Sequence, residues 1–136
     1  MFFRITSVLA LFFFAVTSVT AAENSAKNTH HFPEMVRASW YGQQFHGKPM
    51  ANGKPFNMYK MTVAHKTLPL HAWVRLRNPE NGKEILVPVT DRGPYKPGRE
   101  FDLSYAAAHA LGMVTIGVAP LQVVKVYRHT PAEAYL

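Results

Sequence analysis

The pattern of apolar and polar residues alternates along much of the chain and predicts a series of short β-strands. The alternation is clearest at residues 72–77 (AWVRLR), where Val74 and Leu76 fall on one face and two arginines on the other. Apolar or alternating runs predict four further strands, at residues 36–41, 62–64, 84–90 and 118–127. The turn at residues 79–82 (PENG) predicts a hairpin, because Asn-Gly accepts the positive φ angles of tight turns.

One short helix interrupts the strands. Residues 105–111 are rich in alanine, Ser104 can cap the first turn, and Gly112 suits the position after the last. Residues 42–54 contain three glycines and one proline and predict a loop. Short strands, one helix and long loops predict a mainly β protein. A small closed β-barrel is the expected architecture, since closure leaves no exposed strand edge.

The two ends of the chain lack this pattern. Residues 1–22 place Arg4 before the apolar run 8–16 and the small residues 18–22, a layout typical of a cleaved secretory signal peptide. We therefore expect an exported protein, periplasmic or associated with the cell wall. Beyond this segment we predict a flexible leader at 23–35, the barrel domain at 36–128 and a C-terminal tail at 129–136.

The composition narrows the expected partners. The sequence contains no cysteine, so we expect neither disulfides nor a lipid anchor, and a soluble monomer without a membrane segment after signal cleavage. The formal net charge of +7 attracts anionic surfaces such as cell-wall polymers. The basic residues are scattered along the chain, so no nucleic-acid partner is expected. The histidines lack a tight ligand spacing, so we expect no metal and no other cofactor.

Two carboxylates mark the segment with the strongest functional signal. Asp91 ends the apolar run 85–89, Asp102 stands two residues before Ser104, and a Gly/Pro-rich loop lies between them. Rigid elements often present catalytic groups at such positions. A general acid there would need a raised pKa. The alternatives are structural: Asp91 could only cap the following turn, and Asp102 could be an ordinary acid before a helix.

Five short blocks in a fixed order connect this sequence with a known family. They read ASWYG, FHG, AHKTLP, DRGP and DLS, and the likeness extends over about residues 37–126. In these blocks the chain resembles the rare lipoprotein A family, exported bacterial endolytic transglycosylases. The resemblance implies a six-stranded double-psi β-barrel, the fold also seen in expansins. It further implies a groove that receives a peptidoglycan glycan strand.

The resemblance also implies functional residues. Asp91 of the DRGP block and His65 of the AHKTLP block match positions implicated in activity, and Asp102 matches an acid implicated in related barrels. A third family position, acidic in many members, is occupied here by Lys54. We predict three catalytic residues, with Asp91 as the first candidate for the general acid and Asp102 as its rival or coupled partner. Predicted substrate-binding residues are Tyr41, Phe45, His46, Lys54, Arg92 and Tyr95.

The implied reaction is cleavage of the MurNAc-β-1,4-GlcNAc bond with formation of a 1,6-anhydromuramic acid end. Hydrolytic glycosidases normally need two carboxylates, whereas here the substrate supplies the nucleophile and one carboxyl suffices. The lysine at position 54 keeps a second interpretation open, a non-catalytic, expansin-like barrel that binds wall glycan. The enzyme interpretation gains if Asp91 and Asp102 face one open groove, and the binding interpretation gains if either of them is buried in turn contacts.

Overall fold

The computed structural model describes residues 35–136, and the predictions for the signal peptide and the leader lie outside the described residues, apart from Met35. The chain forms six strands: β1 (Met35–Trp40), β2 (Val63–His65), β3 (Trp73–Arg77), β4 (Glu84–Asp91), β5 (Phe101–Leu103) and β6 (Val118–Tyr127). The helical elements are α1 (Tyr105–Ala110) and two 3₁₀ helices, Gln43–Phe45 and Ala132–Tyr135. The mainly β fold class with one short α-helix is confirmed.

The strands close into a single mixed barrel in the order β1-β5-β2-β4-β3-β6. Strand β6 closes the barrel by pairing antiparallel with both β1 and β3. The pairs β1–β5 and β2–β4 are parallel, and β2–β5 and β3–β4 are antiparallel. Every strand therefore has a neighbour on both sides, which removes the unpaired edges that invite aggregation. The predicted six-stranded closed barrel is confirmed.

Strand β5 is an element that the sequence pattern does not predict. It has only three residues and follows the Gly/Pro-rich segment, so no alternation is long enough to be recognised. The structure inserts it between β1 and β2. Phe101 and Leu103 are fully buried in the core, whereas Asp102 is half-buried on the opposite face. A strand that looks like loop in the sequence thus positions one of the two candidate acids.

The barrel interior consists of alternate residues from the strands, as the binary pattern requires. Val74 and Leu76 of β3 are fully buried, and so are Val87 and Val89 of β4. Burying each such side chain contributes about 1.5–3 kcal/mol. The alternation predicted for β3 is confirmed, and the core leaves the ends of β2, β4 and β5 in fixed register.

Both ends of α1 are capped. The Ser104 hydroxyl accepts a hydrogen bond from the Ala107 N–H at 3.2 Å, and Ala107 is fully buried against the barrel. At the other end, Asn78 and Asn81 of the β3–β4 hairpin both donate through Nδ2 to the Leu111 carbonyl at 2.9 Å. These contacts confirm the predicted N-cap, and they tie the helix to the predicted hairpin turn.

Candidate active site

Four neighbouring strands place four residues side by side across the barrel wall. Ser39 of β1 pairs with Asp102 of β5, and Ala64 of β2 pairs with Asp102 on one side and with Asp91 of β4 on the other. Adjacent strands lie about 4.7–4.9 Å apart, so the two aspartates are separated by two strand spacings. Only the methyl group of Ala64 stands between them on this face.

All four residues line one cavity of about 620 Å³. This volume falls within the range of about 300–1,000 Å³ that is usual for ligand sites. The cavity is lined by residues 39–45 and 91–96 together with Ala64, Arg99 and Asp102. Asp91 and Asp102 therefore face one cavity, the arrangement that the enzyme interpretation requires.

Asp91 is held at the cavity by the backbone. It is the last residue of β4, and its Oδ1 accepts hydrogen bonds from the N–H groups of Arg92 at 2.8 Å and Ala51 at 2.9 Å. Gly93 then adopts a φ of 122°, which a side chain would disfavour, and redirects the chain. The turn contact considered in the sequence analysis is thus present, and the same carboxylate also lines the cavity.

Asp102 is held in a less polar environment. The Ser39 hydroxyl, itself buried, donates to Oδ1 of Asp102 at 3.0 Å. Burial is the largest influence and raises the pKa of Asp102, and the charge of Asp91 acts in the same direction. The Ser39 hydrogen bond, Arg99 and Lys96 oppose the shift without cancelling it. Asp102 thus retains a proton more readily than an ordinary aspartate.

Tyr41 completes the polar floor of the cavity. Its ring stacks on Phe56 with centroids 4.3 Å apart, and the Phe45 ring meets it edge-on at 5.7 Å. Burial raises the pKa of the Tyr41 hydroxyl well above its usual value, and the charges of Asp91 and Asp102 raise it further. The phenol therefore stays neutral beside the two carboxyl groups.

His65 and Arg92 form a brace beneath the cavity. Nδ1 of His65 accepts hydrogen bonds from the N–H groups of Thr67 at 3.1 Å and Leu68 at 2.9 Å. Arg92 in turn donates through Nη1 to the Leu68 carbonyl at 2.8 Å and to the His65 carbonyl at 3.2 Å. The buried imidazole, packed against Phe101, thereby fixes the turn that holds the residue next to Asp91.

The structure brings most of the predicted site residues together and leaves three outside the cavity lining. Phe45 and Tyr95 line the cavity and are 41% and 81% exposed. His65, His46 and Lys54 are not part of the lining. The predicted residues that line it are Asp91, Asp102, Tyr41, Phe45, Arg92 and Tyr95.

Sequence reasoning missed several residues of the cavity. Ser39 carried a usable signal, a polar residue between apolar neighbours in a strand, and it is only 4% exposed. Ala64 carried none, because its importance comes from strand register alone. Lys96 and Arg99 were passed over as loop cations, although both line the cavity and act on Asp102.

Within residues 35–136, no three or more histidine, aspartate or glutamate side chains come together as a possible metal site. His46 and His65 each use Nδ1 to accept a backbone hydrogen bond. No helix in the described part of the chain is long and apolar enough to cross a membrane.

The fold and the cavity define the class, a double-psi β-barrel with two acids in an open cleft. Similar solved structures include an expansin from Clavibacter michiganensis in its apo form, with a TM-score of 0.55 and 23% identity, covering 72% of this chain and 52% of that one. Another is the Streptomyces papain inhibitor, with a TM-score of 0.50 and 27% identity, covering 65% of this chain and 91% of that one.

Within this class the chain belongs to the lytic transglycolase family, whose family model matches residues 34–123. It is 50% identical over 97 residues to the endolytic peptidoglycan transglycosylase RlpA of Vibrio cholerae, covering 71% of this chain and 37% of the relative. It is 52% identical over 86 residues to the protein of the same name from Pseudomonas aeruginosa UCBPP-PA14, and the match covers 63% of this chain and 25% of the relative. It is 45% identical over 102 residues to a probable endolytic peptidoglycan transglycosylase RlpA of Aquifex aeolicus, and the match covers 74% of this chain and 44% of the relative.

The chain therefore spans less than half of the length of each of these relatives. The resemblance to the rare lipoprotein A family is confirmed by these matches. The barrel is the part that the relatives and this chain have in common.

Proposed function

We propose that residues 36–128 form an endolytic lytic transglycosylase that cleaves the MurNAc-β-1,4-GlcNAc bond of peptidoglycan and leaves 1,6-anhydromuramic acid ends. One observation carries the proposal: Asp91 and Asp102, the sequence's only two aspartates, line one open cavity on either side of Ala64. Membership of the lytic transglycolase family supports it, and so do the names of the peptidoglycan-acting relatives.

The proposed reaction needs one carboxyl group that gives a proton and then takes one back. The acid protonates the O4 oxygen of the leaving GlcNAc as the bond to C1 of MurNAc breaks. The C6 hydroxyl of the same MurNAc forms the new bond to C1 and gives its proton to the carboxylate. Water is not consumed, and the carboxyl group returns to its protonated state.

Asp102 is the better candidate for this acid. Burial and the nearby Asp91 charge raise its pKa, so a larger fraction is protonated before the substrate is cleaved. Ser39 holds its Oδ1 in place. This favours Asp102 over Asp91, which the sequence analysis placed first.

Asp91 suits a complementary, electrostatic role. Positive charge develops at the anomeric carbon as the glycosidic bond breaks, and a fixed carboxylate stabilises it. Two backbone N–H groups hold Oδ1 of Asp91 and restrict its orientation. A carboxylate fixed in advance stabilises the transition state without reorganising during the reaction.

Aromatic and cationic side chains of the cavity are suited to bind the strand. Phe45 and Tyr95 offer exposed rings in the cavity lining, where they can contact the apolar faces of sugar rings. Tyr41, whose hydroxyl is buried, supports the Phe45 ring through an edge-on contact at 5.7 Å. Arg92 lines the cavity and can donate to sugar oxygens with the nitrogens that do not contact the backbone.

His65 acts in this proposal as a positioning residue. Its imidazole orders the turn at residues 67–68, and this turn accepts the Arg92 guanidinium. Losing the imidazole would loosen the segment that carries Asp91. His46 and Lys54 are assigned to contacts with the strand outside the cavity, since both are exposed.

Export of this domain is part of the proposal, because peptidoglycan lies outside the cytoplasmic membrane. The signal-like residues 1–22 support it. The basic net charge of +7 favours approach to the anionic wall. The proposed form is a monomeric domain in the periplasm or at the wall.

The experiment is digestion of purified sacculi by residues 23–136, followed by mass spectrometry of the released fragments. Sacculi with and without stem peptides are compared, and Asp102→Asn and Lys54→Glu proteins are tested alongside. The expected result is release of fragments with 1,6-anhydromuramic acid ends by the wild type and by Lys54→Glu, and none by Asp102→Asn.

Two outcomes would point elsewhere. Products with reducing MurNAc ends would indicate hydrolysis. If the wild type bound sacculi without releasing fragments and Lys54→Glu released them, the non-catalytic wall-binding interpretation would be supported.

A further inference from the structure

A series of four aromatic rings, each meeting the next edge-on, links the cavity lining to the exposed surface. Trp40 lines the cavity and meets Tyr105 of α1 at a centroid distance of 5.7 Å. Tyr105 meets Tyr59 at 6.2 Å, and Tyr59 meets His46 at 5.8 Å. We call these four residues the aromatic row. Tyr59 is 69% exposed, so the row begins at the cavity and ends on the open surface.

The segment that carries Tyr59 is held in place from several sides. The N–H of Met58 donates to Nδ1 of His46 at 3.2 Å, and the Met58 carbonyl accepts from Ala106 of α1 at 2.9 Å. The N–H of Tyr59 donates to Oδ1 of Asn57 at 2.9 Å. An exposed ring on a restrained backbone loses little entropy when it binds a ligand.

The segment that carries three members of the aromatic row (Trp40, His46 and Tyr59) is basic. Residues 35–79 contain no aspartate or glutamate. Lys48, Lys54 and Lys60 in this segment are all exposed. The charge of this segment therefore favours a ligand that carries carboxylates.

We propose that the aromatic row is a second saccharide-binding surface, which holds the glycan strand after it leaves the cavity. Tyrosine offers an apolar face with a polar edge, which matches the apolar face and peripheral hydroxyls of a sugar ring. Trp40 makes the surface continuous with the cavity, and the lysines suit the carboxylates of muramyl residues. The identity of the strand rests on the proposed function, whereas the binding surface is tested separately from cleavage.

The test compares strands of two lengths. Glycan strands released by amidase and sorted to four and to twelve sugars are titrated calorimetrically into residues 23–136 carrying Asp102→Asn, which stops cleavage. In this background Tyr59→Leu removes the ring, and Tyr59→Phe keeps it. Tyr135→Leu is the matched control, because Tyr135 is 82% exposed and belongs to the C-terminal 3₁₀ helix.

The expected result is that Tyr59→Leu weakens binding of the twelve-sugar strand about fivefold and leaves the four-sugar strand unchanged. Tyr59→Phe and Tyr135→Leu should bind both strands as the parent does. Equal loss for both lengths, no loss for either, or equal loss in Tyr135→Leu would overturn the proposal. Failure of the wild type to produce anhydro ends would contradict the proposed function and leave this length comparison intact.

Discussion

The two acidic sides of the cavity are built in different ways. Asp91 stands at the end of a strand, where two backbone N–H groups bind one of its oxygens. Asp102 lies in the middle of a three-residue strand, where a single serine hydroxyl binds it and burial dominates its surroundings. The same residue type therefore occurs once in a site that orients it and once in a site that raises its pKa.

This difference suggests a division of labour between the two aspartates. Backbone donors fix the orientation of the Asp91 carboxyl group, whereas burial favours the neutral form of Asp102. Pairs of titratable groups in unequal environments are a common source of acid–base function. Substitutions of Asp91 and of Asp102 should therefore differ in their effects on cleavage and on stability.

The largest expected effect belongs to Asp102→Asn. Without a proton donor, release of anhydro ends should fall about 10²–10⁴-fold. The asparagine oxygen can still accept the Ser39 hydrogen bond, so the site geometry should persist. The rate of fragment release from sacculi measures this effect, and a loss of less than about threefold would assign the proton transfer elsewhere.

The same variant also has an expected sign on stability. The pKa of Asp102 is raised in the folded state, so its ionisation opposes folding once the pH exceeds the ordinary value of 3.8. Asp102→Asn should therefore be at least as stable as the wild type at pH 7, and any advantage should shrink as the pH falls toward 3.8. Urea unfolding at several pH values checks this sign.

The next largest effect is expected from Ala64→Leu. A leucine would occupy the space between Asp91 and Asp102, where only a methyl group now stands. Displacing the sugar by about 1 Å can cost about 10²-fold in rate. Cleavage by Ala64→Leu is compared with that by Ala64→Gly, which leaves the space open. Equal activity in the two variants would show that the glycan strand does not pass between Asp91 and Asp102.

Two substitutions of Asp91 should separate the effect of its charge on cleavage from the effect of its hydrogen bonds on stability. Asp91→Asn removes the charge but keeps an acceptor for Arg92 and Ala51, so cleavage should fall about tenfold with little change in stability. Asp91→Ala also leaves these two N–H groups without their partner and should lower the free energy of unfolding by about 1–3 kcal/mol. If both variants lost the same activity and only stability differed, the charge of Asp91 alone would account for its role in cleavage.

The smallest effect is expected from Ser39→Ala. The Ser39 hydrogen bond lowers the pKa of Asp102, so its loss should raise that pKa further. Cleavage falls as Asp102 loses its proton, and the alkaline limb of the pH–rate profile should therefore move to higher pH. Ser39→Thr, which keeps the hydroxyl, is the control. A limb that moved to lower pH would contradict the assignment of the acid.

The fold was largely accessible from the sequence because alternation, turns and caps are local signals. Strand β3, the hairpin at residues 79–82 and the Ser104 cap all follow from residues close in the chain. Strand β5 was not accessible, because three residues cannot display a period and its partners β1 and β2 are distant in sequence. Closure of the barrel, a non-local property, was inferred from the number of strands and from the family resemblance.

The site was accessible only in part. Asp91 and Asp102 stood out because each lies in the sequence where an ordered element is expected to end or begin, and rigid elements often present catalytic groups at such positions. The residues around them could not be predicted, because the pairing of both aspartates with Ala64 depends on the register of three β-strands. The contacts of His65 with the turn beside it depend on its orientation, which the AHKTLP block does not specify.

The most direct test of the difference between the two acids is a carboxyl titration followed by NMR. Because the sequence has only two aspartates, labelling with ¹³C-aspartate gives two side-chain carboxyl signals, and Asp102→Asn assigns them. The account predicts that the Asp102 signal titrates above 3.8. A midpoint at or below that value would remove the reason for choosing Asp102 as the acid and would contradict the division of labour.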